Sequence, residues 1–120
     1  MAMKESGEMY LETILVLSKR MKMVRAIDVG EEMGYSKPSV SRAMHLLKDR
    51  GYIEVAGDGA ITLTGEGLSI AENIYERHNV LAEALRRIGV DEQTAVDDAC
   101  RVEHYISEAT FQAIKNTLKK

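Results

Sequence analysis

Residues 51–64 read Gly51-Tyr52-Ile53-Glu54-Val55-Ala56-Gly57-Asp58-Gly59-Ala60-Ile61-Thr62-Leu63-Thr64. Two short β-prone runs flank a turn built on two glycines and an aspartate, the pattern of a small hairpin. An amphipathic segment leads into it. Ser36 suits an N-cap, and Pro38 falls in the first turn, where a missing N–H costs nothing. Val40, Ala43, Met44, Leu46 and Leu47 then recur at a helical period until Gly51. Upstream, Met9, Leu11, Ile14, Leu15, Leu17 and Met21 predict a helix over 8–21. Ile27, Val29 and Met33 predict a short second one over 25–33, ending at Gly34. Three helices followed by a two-stranded hairpin is the order of a winged helix-turn-helix. In that fold the third helix enters the major groove and the hairpin lies along the backbone.

Downstream the pattern stays helical. Thr64 is placed to cap a long helix with Leu68, Ile70, Ala71, Ile74, Tyr75, Leu81, Leu85 and Ile88 on its apolar positions, ending at Gly89. Asp91 is placed to cap a fifth helix reaching toward His104, and Ser107 a sixth with Phe111, Ile114 and Leu118. The expected fold class is mainly α. A winged helix-turn-helix domain over 1–65 is followed by an all-helical domain over 66–120. The apolar stripes of the later helices suit either a helical dimer interface or an intramolecular core.

The chain of 120 residues is 45% hydrophobic and 29% charged, as in soluble folded proteins. Its net charge of −3 excludes a generic polyanion binder, but the charge is uneven. Residues 1–64 are neutral overall, and between Lys37 and Arg50 the cations Lys37, Arg42, Lys48 and Arg50 face only Asp49. A local basic face of this kind binds DNA in spite of an acidic total. A single cysteine allows no internal disulfide and fits a reducing compartment. No apolar signal region opens the chain, and no apolar run is long enough to span a bilayer. The expected location is the cytoplasm, with no membrane partner.

Two residue groups carry the candidate chemistry. On the third helix, Ser36, Lys37, Pro38, Ser39, Ser41 and Arg42 form the candidate DNA-binding set. Short hydroxyls and cations reach phosphates and base edges, and a proline ring can touch a thymine methyl. The plainer reading of Lys37 and Arg42 is a solvated helix face. The second group is Cys100-Arg101-Val102-Glu103-His104. Thiol, carboxylate and imidazole at i, i+3 and i+4 share one helical face, which suits a divalent metal. Met9 and Glu12, at i and i+3 on the first helix, and His78 on the long helix are further donors. Taken singly, Met9 suits core packing, and Glu12 and His78 suit a solvated surface.

The motifs Glu8-Met9-Tyr10-Leu11, Lys37-Pro38-Ser39-Val40-Ser41, Leu63-Thr64-x-x-Gly67, Arg77-His78 and Ala99-Cys100-Arg101-Val102-Glu103-His104 stand in this order. Together they resemble the diphtheria toxin repressor / manganese transport regulator family of metal-dependent transcriptional repressors, over nearly the whole chain. The resemblance implies a helical metal-binding and dimerisation domain over 66–120, a homodimer, a palindromic operator on double-stranded DNA, and repression of metal-uptake genes. It also implies a short form that lacks the SH3-like third domain of longer members. The iron-type members use Met, Cys, Glu and His in the activating site, matching Met9, Cys100, Glu103 and His104. The manganese-type members hold Asp and Glu where Met9 and Cys100 stand, and also use the position of Glu12. His78 matches a ligand common to both types, and its 22-residue separation from Cys100 is manganese-like. The iron-type auxiliary site needs a second His and a Glu; the matching positions hold Val96 and Ala82, with Glu83 adjacent. The chain looks like a hybrid. Thioether and thiolate donors favour Fe(II), with Co(II), Ni(II) or Zn(II) as in-vitro substitutes, over the harder Mn(II), which is the alternative.

Three rival readings remain. One is a metal-independent winged-helix regulator. Another is a winged-helix module that binds protein. The third is a metal-dependent hydrolase, which needs an open coordination position and a general base. No nucleophile motif or phosphate-binding glycine loop is visible, so no enzyme activity and no small-molecule substrate are expected.

Overall fold

The computed structural model describes residues 6–119. Six helices and one antiparallel hairpin follow in the order α1 (Glu8–Arg20), α2 (Ala26–Met33), α3 (Lys37–Asp49), β1 (Ile53–Val55), β2 (Ile61–Leu63), α4 (Gly65–Arg87), α5 (Glu92–Val102) and α6 (Glu108–Leu118). The chain divides into two compact units, residues 1–72 and 73–120. Among the described residues, no helix is long and apolar enough to cross a membrane.

In the first unit α1 to α3 enclose a core that the hairpin closes. Leu11, Ile14, Val29, Val40, Leu47 and Ile53 are almost wholly buried. Each comes from an apolar stripe at helical or strand period. The α2–α3 turn is built locally. Gly34 adopts φ +73, open to glycine at little cost, and its N–H donates to Gly30 O at 2.8 Å. The Ser36 hydroxyl then accepts from Ser39 N at 3.3 Å, and Pro38 occupies the first turn of α3. The hairpin pairs Ile53 with Leu63, Glu54 with Thr62, and Val55 with Ile61. The segment before α2 adds one bridge, Ile61 N donating to Val24 O at 2.7 Å.

The hairpin's turn is held from the side. Arg25 Nε donates to Asp58 O at 3.2 Å, and its guanidinium stands 3.8 Å from the Asp58 carboxylate. Between Gly51 and Thr64 there is no Lys or Arg, while Glu54 and Asp58 are exposed. A hairpin expected to run along a DNA backbone therefore brings no cation of its own.

Thr64 joins the hairpin to α4. Its hydroxyl donates to Gly51 O at 2.7 Å and accepts from Gly67 N at 3.1 Å, so one side chain caps α4 and pins its first turn to the hairpin base.

In the second unit the rest of α4 packs with α5 and α6. Leu81, Ala82 and Ala99 form a buried cluster, with Ile106 and Ile114 against it, and Phe111 is 1% exposed. Asp91 accepts from Thr94 N at 3.0 Å and Ser107 from Thr110 N at 3.1 Å, so both expected caps are present. Gly89, at φ +104, turns the chain after α4.

Several expected apolar positions face outward. Ile27, Leu46, Leu68 and Ile88 are exposed, Ile88 to 77%. Ile88 lies just past the end of α4, which closes at Arg87.

Candidate functional site

Four of the expected metal donors lie together in the second unit. α4 supplies His78, near the middle of its length, and α5 supplies Cys100. Glu103 and His104 follow α5, which ends at Val102. The sequence reading put Cys100, Glu103 and His104 on one face of a continuous helix. The backbone departs from this, because Glu103 is the C-cap and His104 lies in the turn that leads to α6. That turn lets the side chains differ in burial. Cys100 is exposed, whereas Glu103 is 1% and His104 2% exposed.

The donors form a chain of short contacts. Cys100 Sγ lies 3.7 Å from His78 Nδ1. His78 Nδ1 lies 2.9 Å from Glu103 Oε1. Glu103 Oε2 lies 3.4 Å from His104 Nε2. Hydrogen bonding to Cys100 first and Glu103 second pushes His78 up from its ordinary 6.5 to about 10, against the opposing effect of burial. A cation entering here competes with that proton, since ligating imidazole must be neutral.

Glu103 is the unusual member. It is an almost fully buried carboxylate whose Oε2 receives no hydrogen bond among the described residues. Burying a carboxylate oxygen that has no hydrogen bond among the described residues, beside the 3.4 Å approach of His104 Nε2, is costly, and a coordinated cation is one way to offset that cost. The set of thiol, two imidazoles and carboxylate suits a divalent transition metal. By donor type the residues fit a metal, although within the second unit they meet as successive pairs.

The other expected donors belong to the first unit. Met9 and Glu12 stand about one turn apart on α1, both half-buried. The positions expected for an iron-type auxiliary site are otherwise engaged. Ala82 is part of the buried cluster. Glu83 accepts from Arg86 at 3.0 Å and from Arg87 at 3.0 Å, which hold its carboxyl below the usual range.

On α3, Lys37, Pro38, Ser41 and Arg42 are exposed, whereas Ser39 is half-buried. The Ser36 hydroxyl is committed to the helix cap and donates to Ser39 Oγ at 3.0 Å. His45 and Lys48 are also exposed, and at spacings of four and three they continue the ridge of Lys37 and Ser41. That helical spacing was visible in the sequence, although only the N-terminal half of the helix was singled out.

Comparison with known proteins agrees with this architecture. Residues 2–61 match the iron dependent repressor, N-terminal DNA binding domain, and residues 64–120 match the iron dependent repressor, metal binding and dimerisation domain. The chain belongs to the iron-dependent repressor family, the diphtheria toxin repressor / manganese transport regulator family. Among the relatives of this repressor family is the transcriptional regulator MntR of Escherichia coli strain CFT073. It is 32% identical over 106 residues, covering 88% of this chain and 68% of MntR. The diphtheria toxin repressor of Corynebacterium diphtheriae is 31% identical over 117 residues, 96% of this chain and 51% of that protein. A solved manganese-dependent transcriptional repressor in complex with manganese superposes with a TM-score of 0.86 at 25% identity, covering 93% of this chain and 52% of its own. The chain thus spans about half the length of these last two family members.

Proposed function

We propose that this chain is a metal-activated transcriptional repressor of metal-uptake genes, acting as a homodimer on a palindromic operator. Its reading head is residues 1–65, and its metal-binding and dimerisation part is residues 66–120. The observation that carries the reading is Glu103. A buried carboxylate whose Oε2 has no hydrogen bond among the described residues, set between two imidazoles beside a thiol, is costly as a purely structural feature and suitable as part of a ligand set. Membership of the repressor family, with its DNA-binding and metal-binding domains, supports the same reading.

In this proposal Met9 and Glu12, on α1, complete the donor set of His78, Cys100, Glu103 and His104. A bound metal supplies cationic charge that ties donors from the two halves of the chain together. The chain's own residues do the rest. Without a cation, Glu12 and Glu103 repel, and the two reading heads of a dimer sample many separations. Only the separation that matches two half-sites binds the operator well, so the effector raises DNA affinity by as much as it prefers that state. Fe(II) is the proposed effector because Met9 and Cys100 are soft donors. Mn(II) is the second reading, favoured by Glu12 and by the spacing of His78 to Cys100.

On the DNA side, Lys37 and Arg42 are assigned to phosphates, and Ser39, Ser41 and Pro38 to the groove, with Ser36 orienting the helix that carries them. Arg42→Ala is expected to lower operator affinity and flatten the salt dependence by about one unit of slope. An unchanged plot of log affinity against log salt would remove Arg42 from the interface.

The deciding experiment is an anaerobic gel shift on operator DNA with Fe(II), Mn(II) or Zn(II), or with excess chelator. Cys100→Glu is run alongside, and a stronger Mn(II) response in it supports the position assigned to Cys100. Equal DNA binding in chelator sinks the proposal.

A further inference from the structure

Arg77 precedes His78 on α4, and its guanidinium is spent on the turn that carries Glu103 and His104. Nη1 donates to Ile106 O at 2.7 Å and to Glu103 O at 3.4 Å. Nη2 donates to Glu108 Oε1 at 2.9 Å. The guanidinium carbon lies 5.3 Å from the centre of the Phe111 ring. The side chain is only 12% exposed, and its Nε is buried with no hydrogen-bond partner among the described residues.

These contacts leave Glu103 held at both ends. Its carboxylate meets His78 and its carbonyl meets Arg77. Neighbouring residues on a helix point about 100° apart, so α4 grips the turn on two sides at once. Carbonyls at a helix end and in the turn after it need donors from elsewhere, and here one guanidinium nitrogen, Nη1, reaches two of them while Nη2 reaches Glu108.

Part of this is plain stability, since the 2.7 Å charge-assisted hydrogen bond and the contact with Phe111 both hold the fold, but three features add little or oppose it. The ion pair to Glu108 is weak, because Glu108 is 62% exposed. The buried Nε is itself unfavourable. A cation beside a cation-binding centre is unfavourable as well.

We infer that Arg77 is a positioning residue for the metal centre, fixing the turn 103–106 so that Glu103 and His104 present their donor atoms together. The inference rests on the metal reading above and deepens it. It also has a sign. If Arg77 acted through its charge, replacing it with a neutral side chain would tighten cation binding. If it acts by position, the same change weakens binding.

The test uses Co(II) as a spectroscopic probe on the metal-free full chain, with melting curves of the metal-free protein alongside. Wild type is titrated first, together with His104→Ala. Wild-type binding that is lost in His104→Ala establishes the centre; no binding, or binding indifferent to His104, overturns the metal reading and Arg77's role with it. Arg77→Met keeps an apolar stem over Phe111 and removes every donor. It is expected to raise the Co(II) dissociation constant about 10- to 100-fold, the usual effect of losing a residue that orients ligands. Its saturated d–d spectrum should differ from wild type. Arg77→Lys should fall between the two. Glu108→Gln leaves both carbonyl bonds in place and should change affinity less than about threefold, in line with the weakness of an exposed pair.

Wild-type affinity and spectrum in Arg77→Met, or tighter binding, overturns the inference while leaving the metal centre standing. So does a lower melting temperature with an unchanged spectrum and affinity, which is the mark of a merely structural role. Should Arg77→Met fail to fold, Arg77→Lys is judged by the same criteria.

Discussion

Glu103→Gln is expected to lose its metal response, with metal affinity down about 100-fold or more and no metal-dependent shift of operator DNA. The estimate starts from the 10- to 100-fold loss typical when a residue supporting a ligand is removed, and a ligand itself should cost at least as much. Gln fills the same volume, so the turn after α5 keeps its packing and its Glu103 N to Ala99 O hydrogen bond of 3.0 Å. What changes is charge and donor type. An amide is a weak ligand for a divalent ion, and it cannot balance the cation that His78 and Cys100 would share with it. Co(II) titration and a gel shift with and without metal measure both effects. A Glu103→Gln protein that still binds DNA only when metal is added would move the centre elsewhere.

Gly67→Ala is expected to destabilise the protein by about 3 kcal/mol, a shift in melting temperature on the order of 10 °C. Two effects oppose each other. Inside a helix alanine is better than glycine by roughly 1 kcal/mol. Against that, a Cβ on Gly67 would overlap the Tyr52 carbonyl oxygen and sit 2.9 Å from its carbonyl carbon. The obstacle is backbone, which cannot swing aside as a flexible side chain would. It is also anchored, since Tyr52 O accepts from Thr64 N at 3.1 Å and Tyr52 N donates to Leu47 O at 3.0 Å. Overlap therefore wins. Gly65→Ala is the control, because a Cβ there meets nothing within 4 Å. Thermal melts of the two variants decide the matter; equal melting temperatures would mean that the hairpin base and α4 do not approach as described.

Gly67 shows how legible the chain was. The motif Leu63-Thr64-x-x-Gly67 was recognised as a resemblance, without a cause. The structure supplies one: Thr64 caps Gly67 and bonds to Gly51, and the missing side chain at 67 admits the backbone of Tyr52. The caps themselves were readable, because Ser36, Thr64, Asp91 and Ser107 each bond a backbone N–H three residues on. The candidate metal donors were readable as residue types at short spacings. Their environment was not. Nothing in Cys100-x-x-Glu103-His104 says that the helix stops at Val102, or that the carboxylate is buried while the thiol is exposed. Arg77 drew notice only as the neighbour of His78.

By itself the sequence determined the order of elements, the turns at Gly34, Gly51 and Gly89, the helix caps and the list of donor residues. All of these depend on interactions within about one helical turn, which local residue types control. Tertiary structure alone decided which donors meet, how deeply Glu103 is buried, and what Arg77 grips. Those facts come from side chains 22 to 29 residues apart. Their meeting depends on how α4, α5 and α6 pack around Phe111 and the Leu81–Ala82–Ala99 cluster. Packing is a collective property of many side chains filling one volume, and no short stretch of sequence contains it.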